Sequence, residues 1–230
     1  MKLYLLSKNN KFSDIIEFQF NPEKEISWTA GQFLQYYIDD DKADDRGNDR
    51  YFTIASSPFE KNIYLTTRIN VEHGSSFKSK LYSMNIGDTI VAEGPFGQFV
   101  LNDQSQSNYI FIAGGIGITP FRSILLDLDY TNKLNDMNIS LFYANRNEEF
   151  VYKDVFDALK SKCNKLNFIY TTSTIDKLFI EKNVDNINNY IFYLSGPEGF
   201  VKYIKELLTN DLNIDSSNIK LDYFPGYSDI

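Results

Sequence analysis

Through the first hundred residues, apolar side chains come in short bursts separated by turn formers. The segments DIIEFQF (Asp14 to Phe20), QFLQYYI (Gln32 to Ile38), RYFTIAS (Arg50 to Ser56), NIYLTTRIN (Asn62 to Asn70) and DTIVAEG (Asp88 to Gly94) alternate or cluster β-branched and aromatic residues. Gly, Pro, Asn and Asp punctuate them. Strands of this length and spacing predict a small antiparallel barrel. One helix interrupts the series, SSFKSKLYSM, directly after Gly74.

From about Ser107 the pattern changes to strand–helix alternation. YIFIAG, ISLFYAN, LNFIYTTS, YIFYLSG and IKLDYF read as strands, with PFRSILLDLDY, YKDVFDALKSK and EGFVKYIKELLTN between them at helical apolar spacing. Parallel neighbours need a crossover, so this alternation predicts a parallel sheet wrapped by helices. The polar stretch LNDQSQSN (Leu101 to Asn108) is the natural boundary. The expected organisation is an antiparallel β-barrel domain over residues 1–104 and an α/β parallel-sheet domain over 105–230. The length of 230 residues suits two domains of about 100–130 each.

Composition narrows the function classes. Hydrophobic residues make up 43% and aromatics 16%, enough for two cores and for ring-lined pockets. The net charge of −8 is spread evenly over both halves and leaves no basic stripe, which argues against nucleic-acid and anionic-membrane partners. A single cysteine, Cys163, excludes an internal disulfide framework and a four-cysteine metal or iron–sulfur site. The N-terminal MKLYLLSKNN is too short for a signal peptide. The most apolar stretch, Tyr109 to Leu126, is broken by glycines, Pro120 and Arg122, so no membrane span is expected. These features predict a cytoplasmic protein, expected to be a monomer. The run DDDKADDRGND puts six aspartates between Asp39 and Asp49 without the regular ligand spacing of a calcium loop. It reads as a solvated hairpin loop, and no metal is expected.

Three stretches have the chemistry of phosphate sites. In AGGIGITPFRS, Gly114, Gly115 and Gly117 let backbone approach a ligand closely, Thr119 can N-cap the next helix, and Pro120 suits its first turn. A helix N-terminus behind a glycine turn suits a pyrophosphate; the alternative is a tight strand-to-helix turn without a ligand. The second strand ends in YANRNEE, where Asn145 and Arg146 stand in place of the carboxylate that selects the ribose of NAD. Arg146 either favours a 2′-phosphate or pairs with Glu148 or Glu149. YLSGPEGF repeats the device, with Ser195 and Gly196 in a turn and Pro197 opening a helix, or is a plain turn. HGSSFKSKL, in the barrel half, starts a helix at Gly74, Ser75 and Ser76 with Lys78 and Lys80 adding charge. It is either an ordinary capped helix or a second anion site, which would imply a second nucleotide.

Set in order along the chain, Arg-x-aromatic-hydroxyl in RYFTIASSP, the Gly-Ser helix start, Gly-Gly-x-Gly-x-x-Pro and Ser-Gly-Pro resemble the ferredoxin–NADP⁺ reductase family. The resemblance spans nearly the whole chain and is closest to compact bacterial-type members without an iron–sulfur or membrane domain. It implies FAD as cofactor and NADPH or NADH as electron donor. By position it puts Arg50 on the flavin pyrophosphate, Phe52 against the isoalloxazine, Thr53 near the flavin N5 and Tyr51 toward the adenosine side. The family usually has Tyr-Ser where this chain has Phe-Thr, so a ring-hydroxyl bond to the ribityl chain would be lost. Thr67, Arg68 and Ile69 fall on the strand that lines FAD, and Gly74 to Ser76 on the loop that holds its phosphates. Gly114 to Pro120 match the nicotinamide dinucleotide loop, and Ser195 stands where plant-type members keep a cysteine near the nicotinamide. In the C-terminal DYFPGYSDI, Phe224 is the expected flavin-covering ring, with Tyr227 its rival and core packing a third possibility. His73, the sole histidine, reads as a solvated loop residue.

The resemblance implies hydride transfer from NAD(P)H to FAD, then electron release to a ferredoxin, a flavodoxin or a small-molecule acceptor. Two other readings are a reductase that uses free flavin as substrate and a non-catalytic dinucleotide-binding subunit.

Overall fold

A computed structural model describes residues 1–41, 43–70, 74–101 and 107–223. The chain divides into two compact units, Met1–Val100 and Leu101–Ile230.

The first unit is a six-stranded antiparallel, barrel-like sheet. Its strands are β1 (Lys2–Asn10), β2 (Ile15–Pro22), β3 (Phe33–Tyr37), β4 (Asp49–Thr53), β5 (Ile63–Arg68) and β6 (Thr89–Phe96), in spatial order β4-β3-β6-β1-β2-β5. The N-terminal segment, expected only to be too short for a signal peptide, is a strand inside this sheet. Leu3 and Leu5 turn inward and Lys2 and Tyr4 outward, the period-two burial of a one-sided strand. Phe18, Phe20, Leu34, Tyr36 and Phe52 join them in the core. One helix, α1 (Ser76–Ser83), packs onto this core through Phe77 and Leu81.

β4 and β5 are the two end strands. Past β4, the Ala55 N–H donates to Tyr64 O at 2.9 Å, and Tyr64 N–H donates to Ser56 Oγ at 3.1 Å. The opposite ends, at Arg50 and Arg68, carry no strand pairing between them. α1 starts beside that gap, where the Lys78 ammonium donates to Arg68 O at 2.9 Å.

The second unit is a five-stranded parallel sheet in the order β11-β10-β7-β8-β9. Its strands are β7 (Asn108–Gly114), β8 (Asn138–Ala144), β9 (Leu166–Thr171), β10 (Ile191–Ser195) and β11 (Ile219–Asp222). The helices are α2 (Thr119–Tyr130), α3 (Lys153–Lys162), α4 (Lys177–Asn183) and α5 (Glu198–Glu206). The helix α4, not foreseen from the pattern, is seven residues long and N-capped by Asp176, whose carboxylate accepts from Phe179 N–H. The chain leaves β7 for β8 and β9 on one side, then returns to lay β10 on the other. That reversal puts a crevice at the carboxyl ends of β7 and β10, where open α/β sheets bind ligands.

Candidate functional site

In the first unit, cations converge on the gap between β4 and β5. Arg50 faces inward on β4, its guanidinium 5.5 Å from the Phe77 ring centroid. Its Nη1 donates to the carbonyls of Arg46, at 2.7 Å, of Gly47, at 3.2 Å, and of Asp49. Its Nη2 is buried with no hydrogen-bond partner. Tyr36, its cross-strand partner, also buries its hydroxyl without one. Lys78 is buried at the third position of α1; removal from water, with Arg50, Arg68 and Arg46 nearby, lowers its ammonium to about 8. Ser75 caps α1, accepting from Lys78 N–H at 3.2 Å. Gly74 has no room for a side chain, since a Cβ there would lie 2.1 Å from the Asn70 carbonyl oxygen.

Four cations around one helix N-terminus, in a chain of net charge −8, form a site that fits a pyrophosphate. The orphaned Arg50 Nη2 is a charged donor awaiting an acceptor, which is the strongest mark of that fit.

The same frame alters several expected roles. Phe52 points into the core, 5.8 Å from the Tyr36 ring and 6.1 Å from that of Phe77. Strand alternation instead puts Tyr51 on the outer face, 40% exposed and edge-on to Phe33 at 5.8 Å. Thr53 shares the outer face with Tyr51 and is buried at the end of β4. Thr67 and Ile69 are buried, Ile69 within the core, while Arg68 pairs with Asp14. The aspartate-rich loop is more than a solvated hairpin. Its Asp44 accepts from the Ser76 N–H at 2.7 Å and from Arg46, and returns its own N–H to Ser76 Oγ at 2.9 Å. Nothing in the composition of that run distinguishes Asp44 from its neighbours.

In the second unit, the turns after β7 and β10 are packed backbone to backbone. A Cβ on Gly117 would lie 2.4 Å from the Ser195 carbonyl carbon and 2.5 Å from Gly196 N. A Cβ on Gly114 would strike the Phe200 ring at 2.7 Å. These two glycines serve chain-to-chain approach, not the direct approach of a ligand. Gly115 opens outward: it has φ +53°, and the nearest atom to its Cβ position is Asn145 Oδ1 at 3.9 Å. Because Gly115 turns the chain early, a 3-10 turn over Gly115–Ile118 leads directly into α2. Thr119 is therefore inside the helical run and not its N-cap; its hydroxyl donates to Ile116 O at 3.2 Å. Pro120 lies in the first turn, and Pro197 is the N-cap position of α5.

Asn145 is spent on its own loop. Its amide donates to Glu149 O at 2.8 Å, and its Oδ1 accepts from the Arg146 N–H at 3.0 Å. The Arg146 residue is exposed. Ser195 is buried and donates to Asp222 Oδ2 at 2.9 Å. Burial pushes the Asp222 carboxyl up to about 6, against the downward pull of that hydrogen bond. Asp222 escaped notice because its partner is 27 residues away. Phe224, Tyr227 and His73 lie outside the described residues. Among the described residues, no helix is long and apolar enough to cross a membrane.

Gly117→Ala should lower stability in chemical denaturation, because the opposing atoms are backbone and cannot swing aside. Gly199→Ala, on α5 with nothing within 4 Å of its Cβ, should instead be neutral or stabilising by up to about 1 kcal/mol. Asp222 binds its proton more tightly folded than unfolded, so its contribution is largest at low pH and is lost as pH rises from about 4 to about 6. Asp222→Asn, which stays neutral, should gain in Tm relative to the unaltered chain across that window; a constant difference would contradict the assignment.

The oxidoreductase FAD-binding domain family matches residues 2–101, and the oxidoreductase NAD-binding domain family matches residues 111–206. A flavohemoprotein of Candida albicans is 32% identical over 197 residues, covering 77% of this chain and 46% of that protein. One component of the Na(+)-translocating NADH-quinone reductase of Neisseria meningitidis is 28% identical over 206 residues, covering 77% of this chain and 49% of that protein. The chain thus spans about half the length of these curated relatives. In fold it is similar to the flavohem-like FAD/NAD-binding domain of nitric oxide dioxygenase from Vibrio cholerae, at a TM-score of 0.82 and 18% identity, covering 97% of this chain and 98% of that one. With a first unit that matches the FAD-binding family and a second that matches the NAD-binding family, the chain belongs to the oxidoreductases that join an FAD-binding to an NAD-binding domain.

Proposed function

We propose that this oxidoreductase takes electrons from NADPH or NADH and passes them through FAD to a small electron carrier, a ferredoxin or flavodoxin, or to another acceptor. The observation that carries the reading is the buried, unbonded Arg50 Nη2 among Arg46, Arg68 and Lys78 at the start of α1. A flavin without a pyrophosphate would leave that Nη2 donor without a hydrogen-bond acceptor.

The chemistry that the bound cofactors supply is hydride transfer from nicotinamide to flavin, followed by electron release to the acceptor. The side chains bind and orient. Arg50 and Lys78 hold the pyrophosphate, and β4, as an end strand, guides the rest of the flavin toward Thr53. Tyr51, the exposed ring of that strand, takes the part first expected of Phe52. The outward turn at Gly115 and the first N–H groups of the helical run behind it receive the nicotinamide dinucleotide. Arg146, exposed at the end of β8, favours a 2′-phosphate. Ser195, held by Asp222, is placed at the carboxyl end of β10 to contact the nicotinamide. Use of flavin as an exchangeable substrate is the second reading, favoured by one observation: a carboxylate, that of Asp44, already takes an α1 N–H.

The test is the visible spectrum of the purified protein before and after anaerobic NADPH, then NADH. The reading expects bound FAD that bleaches on addition of nucleotide, faster with NADPH. An unbleached spectrum with both nucleotides would contradict it. Arg50→Ala should weaken FAD binding by about 1.5–3 kcal/mol, the worth of a charge-assisted hydrogen bond, while leaving the fold intact. Equal FAD retention by the variant would remove Arg50 from the site.

A further inference from the structure

The cationic gap of the first unit already contains an anion of its own. Asp44, in the loop between β3 and β4, lays its carboxylate over the first turn of α1. Oδ2 accepts from the Ser76 N–H at 2.7 Å and from Arg46 Nη2 at 2.9 Å. Oδ1 accepts from Arg46 Nε at 3.2 Å and lies 3.9 Å from Arg50 Nη2, the atom with no hydrogen-bond partner. A helix-terminal N–H beside guanidinium groups is the donor set that phosphate oxygens take. Hydrogen bonds from Arg46 and from the Ser76 amide hold this carboxyl well below the usual carboxylate range, so it stays charged across the working pH of the protein.

We propose that Asp44 is a resident anion that occupies the flavin pyrophosphate site in the flavin-free chain and must give up the Ser76 and Arg46 donors when FAD binds. The inference rests on the reading that the Arg50 gap holds the pyrophosphate. The carboxylate and a phosphate cannot use the same donors, and their like charges repel. With the site empty, Asp44 offsets repulsion among the cations and caps α1. With FAD bound, the Ser76 N–H and the Arg46 guanidinium exchange the Asp44 carboxylate for the pyrophosphate. Asp44 therefore lowers the net affinity for FAD while stabilising the empty protein, which makes the flavin easier to exchange.

The test uses the flavin-free chain, titrated with FAD by quenching of flavin fluorescence and melted without flavin. Asp44→Asn and Asp44→Ser, which keep a short polar group and lose the charge, should bind FAD about tenfold more tightly, the equivalent of one charge-assisted contact no longer surrendered. Both should melt lower than the unaltered chain when empty. Affinity unchanged or weakened in these variants, with Arg50→Ala weakening it, overturns the inference and leaves the pyrophosphate reading standing. Affinity unchanged in Arg50→Ala overturns the reading itself. In the unaltered chain, inorganic pyrophosphate should shift the amide resonances of Asp44, Arg46 and Ser76; amides that do not move on saturation overturn the inference without recourse to a variant.

Discussion

Keeping Arg46, Arg50, Arg68 and Lys78 together is the constraint on which the first unit is organised. Two like charges 4 Å apart repel by about 4 kcal/mol at the screening typical near a protein surface, so such a cluster must be held. The fold holds it with backbone. Arg50 Nη1 is tied to three carbonyls of the 46–49 loop, and Lys78 to the carbonyl of Arg68. Asp14 and Asp44 supply countercharge at the two sides. β4 and β5 end the sheet and leave a gap at this place, and α1 begins beside it, so cationic groups are gathered from separate segments of chain. For an anion entering there, Arg50 and Lys78 are already largely desolvated, and the reorganisation proposed above falls on Asp44, which holds Arg46 and the Ser76 N–H.

The second unit solves a different problem. At the switch between β7 and β10 the two turns nearly touch, backbone to backbone. Gly117 lets the first turn lie against the Ser195–Gly196 peptide, and Gly114 makes room for Phe200. Of the three glycines in the first turn, Gly115, in the left-handed region, is the one that opens outward. The carboxyl of Asp222 extends the arrangement by fixing the Ser195 hydroxyl at the end of β10.

The fold was legible because its periodicities are local: period two through the strands of the first unit, and strand–helix alternation through the second. β1 was not recognised, since Lys2, Ser7 and Lys8 break the apolar run that marks the other strands. α4 was missed because it buries little beyond Ile180 and so lacks an apolar stripe. Arg50 and the glycine turns stand out by motif and order, while the packing roles of Gly114 and Gly117 depend on Phe200 and Ser195, far along the chain. The faces of β4 could not be read that way, because RYFT offers two adjacent aromatics and only cross-strand pairing decides that Phe52 goes in and Tyr51 out. Asp44 and Asp222 were invisible for a related reason. Each acts through a partner 27 or more residues away, and each lies in a stretch whose composition has another ready explanation.

The central claim is that the first unit recognises FAD chiefly through its pyrophosphate. The most direct measurement is the affinity of the flavin-free chain for FAD, FMN and riboflavin, taken at low and at high salt. The account predicts that FAD binds more tightly than riboflavin by at least about tenfold at low salt, with a smaller advantage as salt screens the cations. Equal affinity for FAD and riboflavin at low salt would contradict it.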